Sequence, residues 1–304
     1  MKILLTGATG VIGRRVVPLL TAAGHEVHAV ARSPRKAAAL EAAGAHPVEV
    51  DLFDAAGVRR AVVGTDAVIN LATHIPSSTW RMMLRSAWRE NDRLRREASA
   101  ILAGAAREAG VGRFVQESFA PIYEDQGDRW IDETAPVRPV AYNATVLDAE
   151  RSAERFTAGG GTGVVLRFAA FYGPDAFTTR DMAASVRRGW SPLPGAPGAY
   201  LSSVTHDDAA SAVVAALGAG AGTYNVVEDE PVTRREWADV LARTLGVAPP
   251  KLLPAWTVRL MGSTGELLSR SLRISNRKLR QATGWVPRYP SVREGWPATV
   301  AEMG

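Results

Sequence analysis

The chain has 304 residues, of which 46% are hydrophobic and 22% are charged, enough to bury a large core domain and a smaller second lobe. It contains no cysteine, which excludes disulfides, thiolate metal sites and cysteine nucleophiles, and we expect a cytoplasmic protein. The net charge is +5, but the basic residues are scattered among acidic ones without a recognition motif, so we expect no nucleic-acid partner. We also expect no membrane association, because no apolar run reaches about 18 residues.

Short aliphatic and β-branched runs alternate with longer alanine-, leucine- and arginine-rich segments through the first two thirds of the chain. The runs predict strands near residues 2–6, 26–31, 46–51, 66–72, 112–118 and 163–169, each followed by a helix. Continuous apolar runs such as Ala67-Val68-Ile69 indicate strands buried on both faces. We therefore predict an α/β fold, a doubly wound parallel sheet with helices on both faces.

The pattern changes after residue 172, where Gly173-Pro174 and a proline- and glycine-rich stretch at 192–198 separate shorter elements. We therefore predict one domain over residues 1–172 and a smaller C-terminal lobe over residues 173–304. A segment near 199–227 should return to the main sheet, because residues 222–227 have the composition of a further strand.

The first predicted strand runs into the glycine-rich turn Thr6-Gly7-Ala8-Thr9-Gly10-Val11-Ile12-Gly13 and then into a predicted helix. Gly7 permits a tight turn, Gly10 allows the backbone to approach a pyrophosphate, and Gly13 allows close packing of helix on strand. The free N–H groups at the start of the helix would bind the negative charge. We therefore predict a Rossmann-type domain in which Gly7 and residues 9–13 contact a dinucleotide.

The second predicted strand would end in an acidic residue if it bound the ribose 2′-hydroxyl of NAD. Here it is followed by Arg32-Ser33-Pro34-Arg35-Lys36. A guanidinium group suits a 2′-phosphate instead. We therefore predict that NADP(H) is preferred over NAD(H), with Arg32, Ser33 and Arg35 at the phosphate.

Further motifs follow the later strands: Val50-Asp51-Leu52, Asn70-Leu71-Ala72, Leu166-Arg167-Phe168, Tyr172-Gly173-Pro174 and Val204-Thr205-His206-Asp207-Asp208. With the glycine-rich turn and Tyr142, they make the chain resemble, over essentially its whole length, the extended short-chain dehydrogenase/reductase family, which includes NAD-dependent sugar epimerases and dehydratases. The resemblance implies the following cofactor contacts: Asp51 and Leu52 beside the adenine, Leu71, Ala72 and Thr73 along the ribose and nicotinamide, and Phe171 near the carboxamide. It also implies a C-terminal lobe that closes over a small-molecule substrate.

The chain departs from the family at the residues that carry the chemistry. The family's active site combines a serine or threonine with Tyr-x-x-x-Lys, in which the lysine lowers the pKa of the phenol, whereas Tyr142 here is followed by Val146. The hydroxyl position is Phe119, and Ser118 before it should face the other side of its strand. The asparagine that binds a nucleotide-sugar diphosphate is replaced by Ala170, which disfavours such a substrate. Arg95 stands where the family has a helical asparagine, and Asn91 lies one turn earlier.

An unassisted phenol titrates near pH 10, so Tyr142 should be a poor base but an adequate acid at neutral pH. The first hypothesis is therefore an atypical NADP(H)-dependent oxidoreductase that reduces, or epimerises next to, a carbonyl of a small substrate. Ser118, Tyr123, Glu117 and His74 are further candidates near the expected cleft. Two alternatives remain: a redox sensor or regulatory module that binds NADP(H) without hydride transfer, and a non-redox isomerase or cyclase.

We expect no metal site, because the five histidines are dispersed without metal-ligand spacing and Asp208 fits the start of a helix over residues 209–217. Long helices predicted over residues 80–109 and 142–157 carry an arginine stripe at positions 81, 85, 89 and 93. With the family resemblance, these helices favour a homodimer formed through a helical bundle.

Overall fold

The computed structural model describes residues 1–76, 78–82, 84–253, 257–260 and 262–303. The strands are β1 (Lys2–Thr6), β2 (Glu26–Val30), β3 (His46–Val48), β4 (Ala67–Asn70), β5 (Arg113–Phe119), β6 (Trp130–Ile131), β7 (Thr162–Phe168), β8 (Ala170–Tyr172), β9 (Tyr200–Leu201), β10 (Ser203–Thr205), β11 (Gly222–Val226), β12 (Val232–Thr233) and β13 (Arg273–Ile274). The α-helices are α1 (Gly13–Ala22), α2 (Pro34–Ala42), α3 (Ala55–Val62), α4 (Thr79–Met82), α5 (Arg89–Arg93), α6 (Ser99–Glu108), α7 (Val146–Ala158), α8 (Phe177–Arg187), α9 (His206–Ala215), α10 (Arg234–Thr244), α11 (Thr257–Leu260), α12 (Gly262–Ser269), α13 (Arg277–Thr283) and α14 (Val292–Ala301).

Seven strands form one parallel sheet in the order β11-β7-β5-β4-β1-β2-β3. The strand order reverses between β1 and β4, where Leu5 is paired with Ile69 on one side and with Ala29 on the other. Ligands of open α/β sheets bind in the crevice that such a reversal leaves at the carboxyl ends of the strands. The predicted doubly wound parallel sheet is confirmed, including the strands expected at 2–6 and 222–227.

Both faces of the sheet are buried. Val16, Val17 and Leu20 of α1 pack on one face in a cluster that also contains residues of α9. Helices α3, α6 and α7 cover the other face, where Leu102 and Phe156 are buried. Helices on both faces explain why the strands have continuous apolar runs rather than alternating ones.

A third apolar cluster holds the C-terminal part of the chain together. Trp296 of α14 lies between Tyr172 and Trp237, with ring centroids 4.8 and 5.3 Å away. Short strand pairs connect this part to the rest: β8 with β10, β9 with β12, and β6 with β13. Aromatic pairs at these ring distances stabilise the fold beyond the apolar area that they bury.

The two long helices of the sequence prediction differ in the structure. The segment 80–109 includes residue 83, which lies outside the described part, and is divided into α4, a 3₁₀ turn at Arg85–Trp88, α5, a π-helical turn at Leu94–Ala98 and α6. The second helix begins at Val146 rather than at residue 142, because Asn143 closes a turn: its side-chain oxygen accepts the backbone N–H of Val140 at 2.8 Å. Within the described residues, no helix has the length and apolar character needed to cross a bilayer.

Candidate active site

The glycine-rich turn between β1 and α1 is packed too closely for side chains. Gly7 has φ +69°, and a Cβ there would lie 2.3 Å from the carbonyl oxygen of Leu71 and 2.8 Å from the nitrogen of Ala72. A Cβ on Gly13 would lie 2.2 Å from the carbonyl oxygen of Gly7. The predicted turn therefore brings residues 7, 71 and 72 together at the reversal point of the sheet.

The start of α1 leaves backbone donors for an anion. In the part of the chain that the structure describes, the N–H groups of Val11, Ile12 and Gly13 form no hydrogen bond, and no side chain caps the helix. Val11 is exposed. Unpaired N–H groups and the helix dipole at this position suit a pyrophosphate, so the residues fit a dinucleotide.

The predicted 2′-phosphate site lies at the end of β2. Arg32, Ser33 and Arg35 are exposed, and neither guanidinium group has an ion pair or hydrogen bond with the described residues. Because Arg32 and Arg35 follow β2 at the edge of the crevice and are unpaired among the described residues, their guanidinium groups fit the phosphate of a bound ligand.

The adenine and ribose positions follow β3 and β4. Asp51 is exposed and its carboxylate accepts the N–H of Phe53 at 3.0 Å, while Leu52 is buried. Next to β4, the N–H of Leu71 donates to the carbonyl of Thr6 at 3.2 Å, and Thr73 is half-buried. Because β3 and β4 belong to the same parallel sheet as β1, both loops lie at the same edge of the sheet as the glycine-rich turn.

His74 is exposed, and its imidazole makes no hydrogen bond to the described residues. Its backbone N–H donates to the side-chain oxygen of Asn91 at 2.9 Å. Asn91 is fully buried, so it fixes the loop after β4 against α5. The contact that holds this loop therefore comes from the backbone of His74, not from its ring.

Ser118 and Tyr123 are part of a buried polar network rather than the cleft. The Ser118 hydroxyl donates to Glu150 at 2.5 Å, and Glu150 binds Arg167 through both oxygens at 2.8 and 2.7 Å. The Tyr123 hydroxyl accepts from Arg167 at 2.9 Å and donates to Asn225 at 2.8 Å. Burial raises the pKa of Tyr123 to about 12. The hydrogen bonds of these two hydroxyls connect β5, β7, α7 and β11 inside the core. Our expectation that Ser118 and Tyr123 lie at the cleft as catalytic candidates is therefore corrected.

Tyr142 lies in the turn before α7, with its ring centroid 4.9 Å from that of Trp88. Burial raises the pKa of its phenol, and the positive charges of Arg95 and Arg270 oppose that effect. Val146, at the lysine position of the family, is fully buried. The phenol of Tyr142 therefore stays protonated through the neutral pH range. The cations that act on it, Arg95 and Arg270, lie outside α7, the helix on which the family has its lysine.

Arg95 is brought to Tyr142 by the π-helical turn at Leu94–Ala98. Its Nη2 lies 3.1 Å from Oε1 of Glu117 on β5. Arg95 Nε, Glu117 Oε2 and the side-chain nitrogens of Asn91 and Asn143 are buried without a partner among the described residues. π-Helical turns often occur at functional sites, and these atoms have hydrogen-bonding capacity that the described residues leave unused.

A mainly apolar cavity of about 120 Å³ extends from the carboxyl end of β5 into the C-terminal lobe. Phe119, Ala170 and Phe171 line its inner end. Arg234 and Arg270, both almost fully buried, line it as well. Sequence reasoning missed these two arginines, because neither belongs to a motif and arginine in a helix is ordinarily a surface residue.

The model of the NAD dependent epimerase/dehydratase family matches residues 3–226 of the chain. A Streptomyces protein named "3-diazoavenalumate denitrifying reductase" is 36% identical, with 97% of this chain and 99% of that protein covered. The "4-hydroxy-2-methyl-3-oxo-4-farnesyl-3,4-dihydroquinoline-1-oxide ketoreductase" of Stigmatella aurantiaca is 28% identical, with 90% of this chain and 82% of that protein covered.

Solved structures give the same fold. The UDP-glucose 4-epimerase of Thermus thermophilus, in complex with NAD, has a TM-score of 0.76 at 27% identity and covers 100% of this chain and 99% of its own. The human epimerase family protein SDR39U1, solved with NADPH, has a TM-score of 0.78 at 21% identity and covers 99% of both chains. At 21% identity, the similarity to the human protein concerns the fold alone.

Proposed function

The chain belongs to the NAD-dependent epimerase/dehydratase family, and we propose that it is an NADP(H)-dependent reductase of a small substrate that is not a nucleotide sugar. It is an oxidoreductase of the short-chain dehydrogenase/reductase type. One observation carries the proposal: a mainly apolar cavity is lined by both Phe119, which the resemblance puts at the position of the catalytic hydroxyl, and Phe171, which it puts near the cofactor's carboxamide. Such a wall suits a small apolar substrate.

We assign the cofactor to residues 1–172 and the substrate mainly to residues 173–304. Gly7, Thr9, Gly10 and residues 11–13 would hold the pyrophosphate, and Asp51, Leu52, Leu71, Ala72, Thr73 and Phe171 would line the rest of the cofactor. Arg32 and Arg35, with Ser33 between them, would bind the 2′-phosphate. When bound, NADPH supplies a hydride from its nicotinamide ring.

Tyr142 would supply the proton for carbonyl reduction. As the carbonyl carbon accepts the hydride, the electron pair of the C=O π bond moves to oxygen, which takes the phenolic proton; one C–H and one O–H bond form. The raised pKa of Tyr142 keeps that proton in place at neutral pH. The same property makes the phenol a poor base for the reverse oxidation, so the chain favours reduction.

A second acceptor is worth testing because of the 36% identical relative named as a denitrifying reductase. Hydride added to the terminal nitrogen of an aryl diazonium gives an aryl diazene, which loses N₂ while the added hydrogen ends on the ring carbon. This reaction needs no activation of a carbonyl oxygen. It is therefore compatible with Phe119 and Val146 at the positions of the missing serine or threonine and lysine.

Calorimetric titration with NADPH and NADH tests the cofactor assignment. We expect Arg32→Ala to raise the Kd for NADPH about ten- to a hundredfold and to leave the Kd for NADH nearly unchanged, because one charge-assisted contact to phosphate is lost. Arg243→Ala, an exposed arginine on α10, is the matched control. Equal binding of both nucleotides by wild type would contradict the NADP(H) preference.

Oxidation of NADPH against ketones and an aryl diazonium salt tests the reaction. Turnover with ketones alone supports carbonyl reduction, and release of N₂ supports the second acceptor. Tight, saturable NADPH binding with no oxidation by any acceptor would favour a redox sensor. Conversion of a substrate with no net change in NADPH would favour an isomerase or cyclase.

We also propose that the segments 80–109 and 142–157 form a homodimer contact. Arg81, Arg85, Arg89 and Arg93 are exposed, and Leu84 between them is an exposed apolar side chain. Light scattering of wild type and of Leu84→Glu tests this: the dimer should dissociate in the variant, and a wild-type monomer would overturn it.

A further inference from the structure

Two buried cations line the part of the apolar cavity that lies in the C-terminal lobe. Arg234, the first residue of α10, has 2% of its surface exposed, and Arg270, after α12, has 3%. Apolar residues form most of the remaining wall, among them Trp237, Leu267 and Leu272. Arginine at such a depth normally has its guanidinium fully paired, because burying an unpaired cation is costly.

Arg234 has unpaired donors. Its Nη2 donates to the carbonyl of Arg270 at 2.8 Å. Its Nε and Nη1 are buried and have no partner among the described residues. Guanidinium offers five N–H donors in a planar fork, so the donors left unpaired remain available to an incoming acceptor.

Among the described residues, no carboxylate forms a hydrogen bond or ion pair with Arg234. Asp125 acts on Arg234 electrostatically, but its carboxylate accepts the backbone N–H groups of Gly127 and Ser271, both at 2.9 Å. Burial lowers the pKa of Arg234 to about 10, which leaves it charged at neutral pH. The pocket therefore keeps an excess positive charge.

Arg270 has fewer unpaired donors than Arg234. Its Nη1 donates to the carbonyls of Tyr123 and Arg138 at 3.1 and 2.8 Å, and its Nη2 donates to Glu266 at 3.2 Å. Glu266 is half exposed and also pairs with Arg138 at 2.9 Å. The Nε of Arg270 is buried without a partner in the described part of the chain.

The loop over Arg234 is shaped to cover it closely. Gly195 has φ +110°, and a Cβ there would lie 3.1 Å from Nε of Arg234 and 3.0 Å from Cα of Ser269. A glycine at this point lets the backbone lie against the guanidinium without displacing it. The charge is thereby kept away from bulk water, where it would be screened.

We propose that Arg234, supported by Arg270, binds a carboxylate group of the substrate, with the rest of the substrate against the apolar wall. A carboxylate presents two coplanar oxygens to the edge of a guanidinium group. It also carries the one negative charge that would balance the charge of Arg234. The cavity continues to Phe119 and Phe171, so the opposite end of such a substrate lies where the proposed reduction takes place. The inference rests on the proposed function and adds the substrate class, a small unsaturated or aromatic carboxylate.

Calorimetry with benzoate and cinnamate, each compared with its neutral amide, tests this without turnover. Wild type should bind the carboxylates at least about tenfold more tightly than the amides. Arg234→Gln should raise the Kd of the carboxylates about ten- to a hundredfold and leave the amides unchanged, whereas Arg243→Gln on the same helix should change neither. Circular dichroism and NADPH titration of each variant report folding and the cofactor site separately.

Equal affinity for carboxylate and amide, or an unchanged carboxylate Kd in folded Arg234→Gln, would overturn the proposal. Inorganic phosphate binding to wild type more tightly than the carboxylates would also overturn it. Because NADPH binding is measured independently, these outcomes leave the reductase assignment standing. Loss of NADPH binding in wild type would remove that assignment instead.

Discussion

Replacing Arg234 by methionine should stabilise the protein while it abolishes carboxylate binding. Burial lowers the pKa of this arginine from its ordinary value to about 10, so the folded state disfavours the cation by about 3 kcal/mol, at roughly 1.4 kcal/mol per pKa unit. That cost is present at every pH below the folded pKa and disappears only as the pH rises towards the ordinary pKa of an arginine. Methionine keeps an unbranched apolar side chain in the wall of the cavity and carries no charge.

The variant also loses the hydrogen bond from Arg234 to the carbonyl of Arg270, which costs about 1 kcal/mol. We therefore expect a net gain of about 2 kcal/mol in the free energy of unfolding. Urea unfolding of wild type, Arg234→Met and the control Arg243→Met measures it, and benzoate titration of the same samples measures the function. A variant that unfolds more easily than wild type and still binds benzoate would refute the reasoning, because the arginine would then be a structural cation.

Three further predictions concern single residues. Tyr142→Phe should lower kcat/KM for carbonyl reduction about a hundredfold or more at an unchanged NADPH Kd, and steady-state assays measure this. Burial and nearby Arg15 lower the pKa of His206 to about 4, although Asp175 lies 3.1 Å from its Nδ1 and favours the protonated ring, so the protein should lose stability, by at most about 3 kcal/mol, as the pH falls from 6.5 to 4; urea unfolding of His206→Gln across that range should show a smaller loss. Gly7→Ala should abolish NADPH binding in calorimetry, because its Cβ would lie 2.3 Å from the carbonyl of Leu71.

The sheet and the dinucleotide turn could be predicted from the sequence because they depend on local patterns. Continuous apolar runs mark strands buried on both faces, and β1 and β4 lie within the predicted ranges. Gly7 and Gly13 could be assigned from the spacing of the glycines between a predicted strand and a predicted helix, and the structure gives the reason, since a side chain at either position would collide with backbone atoms. These strands and glycines could therefore be predicted from patterns within short stretches of the sequence.

The polar network and the arginine pocket could not be predicted, because their contacts join distant parts of the chain. Ser118 lies on the strand where a catalytic hydroxyl is expected and Tyr123 follows it, but Glu150 and Asn225, which bind them, lie 32 and 102 residues away. Arg234 resembles an ordinary first residue of a helix until the chain folds and the loop at Gly195 covers it. Burial and pairing of this kind are properties of the tertiary structure.

Restoring the family's lysine should not restore the family's chemistry. Val146 is fully buried, and the cations Arg95 and Arg270 already act on Tyr142, so Val146→Lys would bury a further positive charge in this part of the core. We expect the free energy of unfolding to fall by on the order of 4 kcal/mol, the cost of keeping a buried lysine charged or of neutralising it. Val146→Met, which is similarly long and uncharged, should lose less than half of that in urea unfolding. A Val146→Lys variant that is as stable as wild type and oxidises an alcohol with NADP⁺ at neutral pH would show that only the lysine had been lost, and that the arginines around Tyr142 have not replaced it.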